Sequence, residues 1–185
     1  MKPFIGIKRI WYGPSLTTAL TKVADITALL AKKATEQPAV PLYTEVTNVH
    51  SGTWGYSNDD PDVTDYINEL TGQTYYRDKI SLGAKTITFT LGVYDFQTKA
   101  DLQGGKVIKV EQKVVGWESD AKLENVNKCI IAQTKTGNWI VFSNASIVGK
   151  SDQQDKNIGL GVTAVAQESE TANVSAEYLF EAASA

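Results

Sequence analysis

The chain has 185 residues, 42% hydrophobic and 21% charged, which suits one domain with a proper core and excludes wholesale disorder or a collagen-like repeat. Eighteen Lys and Arg stand against 21 Asp and Glu, and a formal net charge of −3 leaves no global cationic field to gather duplex DNA. The one cysteine, Cys129, excludes an intrachain disulfide framework and a Cys-based zinc site.

Val, Ile and Thr make up about a quarter of the chain, and these β-branched residues suit pleated surfaces. In chain order, a first strand is expected over residues 4–12. An amphipathic helix is expected over 15–33, because Leu16, Leu20, Val23, Ile26 and Leu30 recur at helical spacing. Pro14 and Ser15 mark its start, Lys32 and Lys33 suit its negative end, and Pro38 and Pro41 forbid its continuation. Residues 42–50 read as a strand. Asp60-Pro61 then offers a cap followed by proline at the first helical position, so a short helix is expected over 61–70, closed by Gly72.

From Thr86 to Val93 the pattern alternates strictly. Ile87, Phe89, Leu91 and Val93 are placed on a core face, and Thr86, Thr88 and Thr90 on a face turned to water or to a lumen. A helical turn around 98–102 ends at Gly104-Gly105. Strands follow over 107–117, 128–135 and 139–143, with Thr136-Gly137-Asn138 as a tight turn between the last two. On the first of these, Lys109, Glu111 and Lys113 fall on one side as a polar face of mixed sign. A polar loop over 150–157 precedes a strand over 158–167, and residues 177–181 form a last short strand. Eight or nine strands joined by short turns, with one flanking helix, imply a mainly β, antiparallel sandwich or barrel. It spans 1–185 as one domain, with a long loop at about 51–79.

Little here carries catalysis. His50 is the only histidine, there is no Gly-x-Ser-x-Gly elbow, and no phosphate-cradling glycine loop ends in Lys-Ser or Lys-Thr, so no catalytic residue, cofactor or metal is assigned. The acidic run Asn58-Asp59-Asp60-Pro61-Asp62 lacks the spacing and central glycine of a calcium loop. Glu168 and Glu170 read as solvated charge and Cys129 as a small buried hydrophobe. Trp11, Trp54, Trp117 and Trp139 read as packing residues, with a sugar-stacking platform as the alternative. No run of about 18 apolar residues is present, so no membrane insertion is expected.

The stretch Thr53-Trp54-Gly55-Tyr56, the acidic Asn58-Asp59-Asp60-Pro61, the run from Val63 to Tyr76 and the alternating strand from Lys85 to Tyr94 resemble tail tube (major tail) proteins of long-tailed bacteriophages. Residues 156–164 and 177–181 are similar to the way such chains finish. The resemblance implies a tail-tube-like β fold and a non-enzymatic subunit of the virion tail, made in the bacterial host cytoplasm. Its partner is itself, in hexameric rings stacked as a tube, together with tail proteins such as an initiator and a terminator. DNA passes through transiently and without sequence preference during ejection. In that setting the loop at 51–79 reaches a neighbouring subunit or ring, and Trp54, Tyr56, Tyr66, Tyr75 and Tyr76 are its interface anchors. Two alternatives stand beside it: a soluble β-sandwich binding module for carbohydrate or peptide, and the inner tube of a contractile injection or secretion device.

Overall fold

The computed structural model describes residues 2–34, 40–120 and 124–182. Within them the chain is mainly β, with antiparallel pairing throughout. In chain order the elements are β1 (Arg9–Gly13), α1 (Val23–Leu30), β2 (Thr44–Val46), β3 (Gly55–Asn58), β4 (Val63–Ile67), β5 (Thr74–Lys79), β6 (Lys85–Leu91) and α2 (Phe96–Gln103). There follow β7 (Lys106–Val110), β8 (Lys113–Glu118), β9 (Val126–Gln133), β10 (Trp139–Gln154), β11 (Asn157–Ala166) and β12 (Glu177–Phe180).

One eight-stranded sheet runs β2-β1-β9-β10-β11-β6-β3, with β12 added beside β10. Its organiser is β10, 16 residues long. The first part of β10 lies between β9 and β12, its last part pairs with β11, and a register shift between Phe142 and Ala145 separates the two. The bulge at Ser143 and Asn144 is buried and polar, so its groups need partners. They have them. Ser143 donates its hydroxyl to the Ser175 carbonyl at 2.5 Å and its carbonyl accepts the Leu16 N–H at 2.9 Å. Asn144 donates to the Glu168 carbonyl at 3.0 Å and accepts the Ser15 hydroxyl at 2.9 Å.

Strand alternation divides the core between two faces. On one, Ile10, Tyr12, Ile130, Ile140 and Phe142 meet Ile87, Phe89, Leu91, Leu160 and Val162 from the other end of the sheet, so the sheet folds over its own interior. On the other, Trp11, Cys129, Ile131, Trp139 and Val141 are covered by Leu16, Leu20 and Ile26 of the α1 region and by Tyr43. Gly13 is required there because a Cβ would lie 2.5 Å from the Tyr43 ring. Cys129 is fully buried, and that burial pushes its thiol well above the ordinary range.

Several expected elements differ. The helix expected over 15–33 forms only over Val23–Leu30, with residues 15–22 irregular. Leu16 and Leu20 are buried as the periodicity requires, but the Leu16 N–H bonds Ser143, and Asp25 accepts from the N–H groups of Thr21 and Lys22, which fixes the helix start. Pro38 lies outside the described residues. The helix expected over 61–70 is a strand, β4, paired with β5. Val63, Thr64, Tyr66 and Ile67 favour the extended chain. Gly72, at φ +69°, turns the chain after Ile67, and Asn68 accepts the Leu70 N–H.

The strand expected over 107–117 is a hairpin, β7–β8. Glu111 and Gln112 take positive φ in its turn, so Lys109, Glu111 and Lys113 do not line one strand face. The polar loop expected over 150–157 is instead the tip of the β10–β11 hairpin, paired as far as Gln154 and Asn157. The first strand begins at Arg9, and the strand expected over 42–50 is limited to Thr44–Val46. The expected turn at Thr136-Gly137-Asn138 is present, with Gly137 at φ +94°.

Candidate assembly surface

Residues 59–84 leave the sheet between β3 and β6. The exit is narrow: Asp59 N–H donates to the Ala84 carbonyl, and Gly83 packs so closely that a Cβ would meet the Asp59 carbonyl at 1.8 Å. Beyond it, β4 and β5 pair with each other and, among the described residues, with no other strand. All six residues of β5 are exposed. The hairpin carries Tyr66, Ile67, Tyr75 and Tyr76, all exposed, and Leu70 at its tip is 96% exposed. The Tyr66 ring lies 5.7 Å from that of Tyr76 and 6.5 Å from that of Tyr75, which makes a small aromatic cluster. Arg77 grips Asp65 through two bonds of 2.5 and 2.8 Å, and that guanidinium lowers the Asp65 pKa.

Large apolar side chains left outside a core mark interaction sites when they are contiguous. Here they extend to Ile80 and Leu82 at the root of the hairpin. Sequence reasoning chose the aromatics and missed these aliphatics and Leu70. It also missed a second hairpin, β7–β8, which exposes Ile108, Val110, Val114 and Val115. For the second hairpin the signal was the β-branched pairs Val107-Ile108 and Val114-Val115; no local pattern marked Leu70 or Leu82.

The structure splits the five aromatics assigned to the loop. Tyr66, Tyr75 and Tyr76 lie together on the hairpin. Trp54 and Tyr56 belong to the body. Trp54 is half-buried against the core, and Tyr56 on β3 donates its hydroxyl to Glu177 at 2.6 Å and tilts against Phe142. Lys85 donates to the other oxygen of Glu177, so β3, β6 and β12 meet at one carboxylate whose side chain is 8% exposed. Partial burial, and then the Glu177 carboxylate, raise the Tyr56 pKa.

The threonine face is also divided. Thr86 and Thr88 are half-buried, but Thr90 is buried at 5%, contrary to its expected exposure. Its N–H donates to the Thr53 hydroxyl and its own hydroxyl donates to Asp152 at 3.2 Å, so the segment after β2 and the β10–β11 hairpin cover it. On the opposite face of the strand Ile87, Phe89 and Leu91 are core as expected, whereas Val93, beyond the end of β6, is 72% exposed.

The remaining candidates do not converge. His50 Nε2 lies 3.6 Å from Asp155, which is exposed. Trp11 and Trp139 stack on each other at 5.7 Å inside the second core, and Trp117 lies under Lys99 beside α2, so the four tryptophans form no common platform. Among the described residues no group of three or more His, Cys, Asp and Glu could hold a metal ion, and no helix is long and apolar enough to cross a membrane. No protein-family model matches the chain, and no curated protein matches it.

Proposed function

We propose that this protein is a structural subunit that assembles with copies of itself into hexameric rings stacked as a phage tail tube, the conduit for DNA ejection. The observation that supports it is the β4–β5 hairpin, which exposes Tyr66, Ile67, Leu70, Tyr75 and Tyr76 and, among the described residues, forms a two-stranded sheet of its own. Exposed aromatic anchors of this kind dominate binding energy once a partner desolvates them. Short edge strands at β2 and β3 leave backbone groups that a neighbouring copy can pair. The net charge of −3 suits a channel wall that lets DNA slide, since tight phosphate neutralisation depends on Lys and Arg.

The test is negative-stain electron microscopy of concentrated protein, where six-fold rings or hollow tubes are expected. Replacing residues 60–82 by a short Gly-Ser turn keeps β3 paired with β6. That variant is expected to melt with the wild type and to form no tubes. Tubes of unchanged length from a folded hairpinless variant would remove the hairpin from assembly.

A further inference from the structure

We propose that the tip of the β4–β5 hairpin docks into a basic cleft at the opposite end of the β3–β6 ladder of a second copy, a head-to-tail contact. The proposal rests on the reading of the hairpin as an assembly element, and it adds the receiving site. That site is an open cleft of about 400 Å³ between the residues before β1 and the residues after β2. Its floor is apolar, formed by Ile7, Val49 and Trp54, each half-buried against the core. Its rim carries Lys8, Arg9 and Lys135, all exposed, and no carboxylate among the described residues lines it.

Arg9 is already committed: it holds Glu45 through two bonds of 2.6 Å. Lys8 and Lys135 form no ion pair among the described residues. The cleft therefore offers an apolar pocket flanked by two ammonium groups without carboxylate partners. His50, also at its edge, lies near Asp155, which stands outside the lining.

The hairpin carries the complementary surface. Between Asp59 and Lys79 six carboxylates stand against only Arg77 and Lys79. At the tip, Glu69 precedes Leu70, the most exposed of the large hydrophobic residues, so one acid and one aliphatic side chain lead the hairpin. Leu70 fits the Ile7, Val49 and Trp54 floor, and Glu69 meets Lys8 or Lys135 at the rim. Desolvation on docking strengthens such a charge pair relative to an exposed one.

Placement makes the partner a second copy. The hairpin leaves the sheet where Asn58 pairs with Lys85, whereas the cleft lies where His50 N–H donates to the Thr90 carbonyl. Those ends are five residues apart along β6, roughly 17 Å at about 3.3 Å per residue. Donor and acceptor surfaces at opposite ends of one ladder are heterologous, and such contacts propagate from copy to copy.

The test uses the full chain carrying Leu70→Cys with Ser51→Cys, since Ser51 lines the cleft and Cys129 is buried out of reach. Oxidation at millimolar protein with copper–phenanthroline is expected to give a ladder beyond dimer on non-reducing gels. Each single-cysteine variant should stop at dimer. Adding Glu69→Lys should collapse the ladder to monomer, and adding Lys8→Glu with Lys135→Glu to that variant should restore it, with melting temperatures matched throughout. No ladder, or a ladder indifferent to Glu69→Lys, overturns the cleft. Tubes without a ladder sink the cleft and leave the tube reading intact, whereas a ladder without rings or tubes supports the cleft and sinks the tube reading.

Discussion

The sheet body and the β4–β5 hairpin are built from similar residues and use them in opposite ways. In the body, Phe89, Phe142 and Ile87 are at most 1% exposed, and each is held by strands distant in sequence. In the hairpin, Tyr66, Ile67, Tyr75 and Tyr76 have the same β-forming character and remain exposed. Residue type therefore sets the local strand, while the presence of a covering layer sets what the side chain does. A two-stranded ribbon on its own is marginal in water, and this one is held by its narrow root and its cross-strand pairs.

The contrast can be broken first from the body side. Phe142→Ala empties a fully buried site on β10, between β9 and β12 and under the Tyr56 ring of β3, and should cost about 3–5 kcal/mol in denaturant unfolding. A cost below about 1 kcal/mol would mean that the two halves of the sheet are not packed as described.

From the hairpin side, Tyr75→Ser with Tyr76→Ser should change unfolding of the sheet body by no more than about 0.5 kcal/mol, since both rings lie outside it and are more than half exposed, and the lost Tyr66–Tyr76 cross-strand contact loosens only the hairpin. The same double variant should reduce assembly measured by light scattering. Large destabilisation with assembly intact would assign these tyrosines to the body's fold and reverse the comparison.

The smallest effect concerns the edge of the sheet. The Arg9 guanidinium beside Glu45 holds that carboxyl below its ordinary value, so the folded state favours the ionised form. The stabilisation is complete above the ordinary glutamate range and is lost as pH falls through the lowered folded value. Both side chains are more than a third exposed, so screening limits it to less than about 1 kcal/mol. Comparing wild type with Glu45→Gln in urea at pH 7 and at pH 3 should show a small gap that closes at the acid end. A gap that widens in acid would overturn the sign.

The core strands were legible where one local pattern met one environment. Ile87, Phe89 and Leu91 alternate because one face of β6 is covered by the folded-over sheet, and Cys129-Ile130-Ile131 is a continuous apolar run because β9 is covered on both sides. Legibility failed where two local signals competed. Asp60-Pro61 is a good helix start, yet the β-branched and aromatic residues that follow find a partner in Thr74–Lys79. Thr90 looks wet in an alternating strand, and only the approach of Thr53 and Asp152 from distant segments buries it. Of the aromatics on the candidate surface, Tyr66, Tyr75 and Tyr76 could be picked from the sequence, but nothing local distinguishes them from Tyr56, whose hydroxyl meets Glu177 across 121 positions.

By itself the sequence determined a mainly β chain with one cysteine in its core, a slight negative charge and an unusually long aromatic segment before β6. These follow from side-chain branching, alternation and charge, which act over a few residues. Tertiary structure decided that the long segment is a bare hairpin rather than a loop with a helix, that two of its aromatics stay with the body, and that a basic cleft opens at the far end of the same ladder. Those outcomes depend on which distant strands come together, and no spacing within a short window encodes that.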